Sequence, residues 1–235
     1  PRLSSAASDV YKRQELIMCG RFCLFSSSKA LSKDLGMLID EPITPSHNIS
    51  PGTNILTIRY DLDLKKRCYG LYHWGLNTPQ NSHINARIET VDTAPRFRDA
   101  WVDRRCLIPA NGFYEWYKDG LTKQPYYIFP KNLSPLYFGA LYYPISDDQF
   151  QIVLITTQST SSIRSIHDRM PLLISKDKHE DWLKGQVNKE DVYQNQETFE
   201  LQAHTVSKRI NSIMNNDASL INEIDPINDG QLRLF

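Results

Sequence analysis

Seven short runs rich in β-branched and aromatic residues crowd the middle of the chain, and they restrict the fold more than any other feature. They span residues 55–60, 66–74, 105–109, 112–118, 126–129, 136–143 and 151–157. Helical patterns are expected at 28–39, 89–94, 161–166, 178–185 and 210–215, and they interleave with the strands irregularly. A doubly wound parallel sheet needs strict alternation of strand and helix, so the pattern predicts an α+β domain. Its sheets should be mixed and mostly antiparallel, with flanking helices. The segment EPITPSHNISPGTN carries Pro42, Pro45 and Pro51 and is expected to turn rather than to form regular helix.

A chain of 235 residues suffices for one well-cored domain, and no linker or internal repeat divides it. The domain is expected to occupy residues 18–222. Residues 1–17, polar and without periodicity, read as a non-native or processed N-terminal extension. Residues 223–235 read as a C-terminal tail, 188–200 as a polar surface loop, and the stretch after Asn215 as loosely held.

Apolar residues make up 40% and charged residues 23% of the chain, which argues against a disordered or fibrous protein. The 27 basic and 27 acidic side chains cancel, so any nucleic-acid partner must be met by a local basic groove rather than by net charge. No run approaches the roughly 20 apolar residues of a membrane span, and the start lacks the apolar core of a secretory signal. The expectation is a cytoplasmic protein. Cys19, Cys23, Cys68 and Cys106 form no CxxC pair, so reduced thiols are expected, with no metal site and no cofactor.

Cys19 follows Met18, which reads as the true initiator. Removal of that Met would leave Cys19 with a free α-amine beside its thiol. Such a 1,2-aminothiol traps aldehydes, first as an imine through nitrogen and then as a five-membered thiazolidine through sulfur. The amine titrates near 8 and the thiol near about 8.5, so both are reactive near neutral pH. The simpler reading of Cys19 is a small buried hydrophobe.

Three further segments carry candidate chemistry. In INARIE, Asn85, Arg87 and Glu89 alternate and share a face on an extended backbone, suited to a phosphate or a sugar hydroxyl or else to a solvated strand edge. In RRCLIPANGFYEW, Glu115 lies among aromatics, either as a buried proton shuttle or as an acid facing water; Tyr114 and Trp116 can stack on bases or fill a core. In IHDRMP, His167 suits acid/base work and Arg169 a phosphate, whereas a lone His is commonly structural.

The ordered set MCGRF, HNISPGTN, WGL, INARIET, RRCLIPANGFYEW and SIHDRMP resembles the SOS response-associated peptidase (SRAP) family, also described as abasic site processing proteins. The resemblance runs from Met18 to about Pro171, with weaker agreement through Trp182-Leu183 and the segment starting at His204. It implies a β-rich α+β domain whose cleft receives single-stranded DNA carrying abasic sites; a cleft on one domain works as a monomer, which is the expected state. By the same resemblance Cys19 attacks the abasic-site aldehyde, Asn85 positions the sugar or amine, Glu115 is the acid/base, and His167 assists proton transfer. DNA contacts are implied for Arg21, Trp74, Arg87, Trp116 and Arg169. The sequence departs from the family pattern at Ala110-Asn111-Gly112, where an Asp is usual before the Gly, and in the loop of residues 46–54. Two alternatives remain: a cysteine peptidase that removes its own N-terminal extension, with Cys19 as nucleophile and His167 as base, and a non-catalytic single-strand binder.

Overall fold

The computed structural model describes residues 19–78, 82–120 and 122–225. The expected extension 1–17, Met18 and the last ten residues of the expected tail lie outside the described residues. In chain order the strands are β1 (Phe22–Leu24), β2 (Ser46–Ile49), β3 (Asn54–Asp61), β4 (Lys66–Trp74), β5 (Leu76–Asn77), β6 (Ser82–His83), β7 (Asn85–Arg87), β8 (Arg105–Ala110), β9 (Gly112–Asp119), β10 (Thr122–Pro130), β11 (Leu136–Ser146), β12 (Gln149–Gln158), β13 (Arg169–Pro171) and β14 (Leu201–Thr205). The helices are α1 (Ser28–Leu35), α2 (Arg98–Asp103), α3 (His179–Leu183) and α4 (Lys189–Gln194).

One sheet runs β14-β10-β9-β1-β2 and is antiparallel throughout. The other runs β11-β8-β3-β4-β12, and β11 also pairs with β12, so these five strands close into a small barrel. Closure removes two exposed strand edges. Among the described residues only the joints of β12 with β4 and with β7 are parallel, which makes the fold the mixed, mostly antiparallel α+β arrangement expected.

Period-two alternation explains why the central strands are buried on both faces. On β8, Cys106, Ile108 and Ala110 enter one apolar cluster with Phe22, Trp74 and Phe138, while Leu107 points the other way into a second cluster with Leu31, Trp101 and Trp182. On β12, Ile152 and Leu154 share the first cluster, and Val153 and Ile155 the second. A third cluster joins Cys23, Tyr114 and Tyr127 to Val206, Ile210 and Leu220.

The helices follow the expectation less closely. α1 is capped by Ser27, whose hydroxyl accepts from the Ala30 N–H, and it stops at Gly36 in the left-handed region, so residues 37–39 leave the helix. Residues 89–94 and 161–166 form turns rather than helices. In the first case Pro95 disfavours helical geometry at Ala94, and the helix starts three residues beyond it as α2. Residues 208–211 form a single 3-10 turn. The segment 188–200, expected as a loop, instead builds α4 and a following 3-10 turn. There Gln196 is buried, exchanging hydrogen bonds with both backbone groups of Leu173. Its polarity pairs with backbone, not with water. Residues 216–225 are likewise held: Asn216 Oδ1 accepts from the His47 N–H, Leu220 is buried, and the Ile224 N–H donates to Thr205 O. Among the described residues no helix is long and apolar enough to cross a membrane.

Candidate active site

The site is assembled where β1 meets β9. Phe22 pairs with Phe113 and Cys23 with Gly112, and the Tyr114 N–H donates to Arg21 O at 3.0 Å. Continuing that register by one residue on each strand sets Gly20 opposite Glu115, with Cys19 immediately before it. The Cys19 nitrogen donates to Glu115 Oε1 at 2.9 Å, and the two residues are each only 2% exposed. Asn111 secures β1 from the other end: its Oδ1 accepts from the Phe25 and Ser26 N–H groups at 2.8 and 2.9 Å. Its Nδ2 donates to Ser26 Oγ at 2.8 Å, a bond that the Asp usual at this position in the family could not make.

His167 arrives from the turns that precede β13, with Nδ1 3.9 Å from Glu115 Oε2 and 3.5 Å from Asp168 Oδ1. Three of the four expected catalytic residues thus converge across separations of 96 and 52 positions. Asn85 stands on β7 in register with Leu154, on the β12 edge opposite β13. Burial pushes the Cys19 thiol well above its ordinary value, and the Glu115 carboxylate adds to the rise. Burial also raises Glu115, against the opposing pull of His167 and of its hydrogen bonds with Cys19. Burial therefore favours the uncharged forms of both groups. Cys19 itself has φ 49°, a left-handed conformation that a non-glycine residue adopts at a cost of roughly 1–2 kcal/mol.

The residues expected to contact DNA divide into two groups. Arg87 is exposed and, with Thr90, Gln158, Arg164 and Asp168, lines an open polar cavity of about 550 Å³. Trp116 is partly exposed, its indole N–H bound to Asn211 Oδ1. The other three are engaged within the protein. Arg21 donates to Asn48 Oδ1 and to the carbonyls of Ile210 and Asn211. Arg169 is 8% exposed and bound by Glu89 and Thr156. Trp74 is fully buried, donates to Ile84 O and packs on Phe22, so it is a core residue and offers no face to a base. Asn48 and Arg164 were missed by sequence reasoning: an Asn in a proline-rich turn and an Arg in a serine-rich stretch carry no pattern of their own. Among the described residues no cluster of three or more His, Cys, Asp or Glu side chains could hold a metal ion.

A family model described as SOS response associated peptidase (SRAP) matches residues 18–213. The chain belongs to this family. Its SRAP relatives include abasic site processing protein YoqW of Bacillus subtilis, 34% identical over 223 residues, which cover 87% of this chain and 99% of that one. Abasic site processing protein YedK of Escherichia coli is 26% identical over 231 residues, covering 88% and 100%. A solved structure from Bacteroides thetaiotaomicron has the same fold, with a TM-score of 0.73 at 19% identity, covering 88% of this chain and all of that one. The SRAP match contains Cys19, Glu115 and His167.

Proposed function

We propose that this SRAP protein processes abasic sites in single-stranded DNA by covalent capture, through a thiazolidine at Cys19. The observation that carries the reading is the 2.9 Å contact between the Cys19 nitrogen and the buried Glu115 carboxylate. The names of the relatives support the substrate. Loss of the residues up to Met18 turns that nitrogen into an α-amine, leaving a working domain of residues 18–222 less its Met.

The amine attacks the aldehyde carbon of the ring-opened sugar, and Glu115 takes the amine proton as the carbinolamine forms. Glu115 or His167 returns a proton to the departing hydroxyl, releasing water and leaving an imine. The thiol then adds to the imine carbon, its proton passing to the imine nitrogen by way of Glu115. One aldehyde and one aminothiol thus yield one thiazolidine and one water. Reversal needs the same proton carriers. Asn85 holds the sugar, Arg87 takes a backbone phosphate, and Trp116 stacks on a base. A single cleft needs no second subunit, so a monomer suffices.

A peptidase step fits the same atoms. The Cys19 thiol adds to the carbonyl carbon of residue 18, and Glu115, which faces the Cys19 nitrogen, protonates that nitrogen as the peptide bond breaks. Water hydrolyses the resulting thioester, restoring the thiol and releasing the extension as a carboxylic acid; scission also relieves the left-handed torsion at Cys19. Mass spectrometry of the intact chain and of Cys19→Ala reads this: loss of residues 1–18 only with the native Cys supports self-removal.

The deciding assay incubates the chain starting at Cys19 with an oligonucleotide bearing one abasic site and resolves it on a denaturing gel. A shifted band that Cys19→Ala abolishes is expected. A chain that holds strands only reversibly, with no band, is a binder rather than a capture enzyme. A band of undiminished yield with residues 1–17 retained excludes ring closure at the amine.

A further inference from the structure

His167 presents a single ring nitrogen to both backbone groups of one residue. Its Nδ1 lies 3.1 Å from the Arg169 N–H and 3.0 Å from the Arg169 carbonyl. A bare Nδ1 accepts from the amide, and a protonated Nδ1 donates to the carbonyl. Each state keeps one backbone hydrogen bond, so the ring can exchange a proton at Nδ1 without turning, trading the amide of residue 169 for its carbonyl. The charged groups nearest it are Glu115 at 3.9 Å and Asp168 at 3.5 Å, with the Cys19 thiol beyond Glu115.

That arrangement depends on residue 169 staying where it is. Its side chain is held at both ends of the fork: Nη1 by Glu89 Oε1 at 2.5 Å, and Nη2 by Glu89 Oε2 at 3.1 Å and by Thr156 O at 2.8 Å. The Thr156 hydroxyl adds a contact at 3.1 Å. Glu89 follows β7 on one edge of β12, while Arg169 begins β13 on the other, so the pair straddles β12 at Thr156. It also offsets the charge of a guanidinium on a residue that is only 8% exposed.

We propose that Glu89 and Arg169 are positioning residues for His167, their ion pair holding the backbone of residue 169 as a two-sided cradle for Nδ1. The role in capture rests on the function proposed above; the cradle does not. The ring nitrogens of His167, identified by their absence in His167→Ala, are followed by ¹H–¹⁵N correlation in the folded full chain. The neutral native ring is expected to carry its proton on Nε2. Glu89→Gln, which keeps the shape of a partly exposed side chain, is expected to lower that tautomer preference about threefold or more, and Glu89→Asp to recover it. An unchanged ratio in Glu89→Gln overturns the proposal.

Adduct formation gives the second readout. Glu89→Gln should slow capture about tenfold with His167 present and less than about twofold in the His167→Ala background, because groups acting through one another are not additive. Equal slowing in both backgrounds, or slowing explained by a lower melting temperature, assigns Glu89 a purely structural part and overturns the proposal. Absence of any adduct from the native chain removes the capture reading alone, since the nitrogen spectrum still decides the cradle.

Discussion

Glu115 has its pKa raised by burial, and this ties stability to pH with a definite sign. A carboxyl whose folded-state pKa lies above its unfolded value stabilises the fold fully below the unfolded value, and that contribution is lost as pH rises through the folded one. Glu115→Gln carries no such charge and still accepts from the Cys19 nitrogen. Its melting temperature should therefore exceed that of the native chain at pH 8, with the gap closing below the ordinary carboxylate range. The same variant should slow adduct formation by about 100-fold or more, since a positioned acid/base contributes on that order. Parallel melts and rates across pH check both. A native melting curve that is no less stable than Glu115→Gln at pH 8 contradicts the assigned shift. Burial likewise lowers His179, to about 4, where it packs on Tyr137 and its Nε2 lies 3.3 Å from the Ile174 carbonyl. That histidine is structural, as a lone histidine commonly is.

At the scale of elements, the long central strands were readable because a residue period of two survives whatever packs against it, whereas β2, within the segment expected to turn, and the short β13 and β14 were not. Runs at 105–109 and 112–118 became β8 and β9 almost to the residue. Short helical patterns were read unevenly: 178–185 holds α3, whereas 89–94 and 161–166 form turns, because one turn of helix leaves too few residues to establish a period. Residues 161–166 make the first i→i+4 bond of a helix, from the Arg164 N–H to Thr160 O, and then turn into the His167 loop. Glycines in the strands and caps separate two causes of intolerance. A Cβ on Gly112 would lie 2.5 Å from a Tyr127 ring carbon and 2.6 Å from the Ile128 carbonyl, so β9 would have to part from β10. Gly112→Ala should cost about 2–4 kcal/mol, or a melting temperature lower by roughly 2–4 °C for each kcal/mol. Gly36 has open space around it and φ +61°, so Gly36→Ala should cost about 1 kcal/mol, from the torsion alone. Thermal melts that rank the two in the opposite order contradict this account.

Over the whole molecule, Trp182 joins α3 to the barrel: fully buried, it donates to Cys106 O, packs edge-on to Trp101, and shares the Arg105 guanidinium with it. Trp182→Ala should cost about 3–5 kcal/mol and lower one cooperative transition rather than split it, as calorimetry would show. The absence of net charge means that attraction for a strand must be local. Arg87→Ala should reduce the slope of log affinity against log salt by about 1 while leaving the melting temperature within about 2 °C. A slope that does not change removes Arg87 from phosphate binding.

The sequence alone determined the strand-rich α+β class, the order of the motifs and the list of residues from which the site is drawn, because periodicity and residue chemistry are local properties. Only the tertiary structure decided which face of each strand is covered and by what. Period two states that Glu115 and Phe113 share a face of β9, but not that Cys19 lies against that face 96 residues away in sequence. For the same reason an Arg and a Trp that read as ligands for DNA prove to be occupied: Arg169 is bound to Glu89, and Trp74 is closed within the core. Burial and charge pairing belong to contacts between distant segments, and those contacts exist only once the sheets have closed.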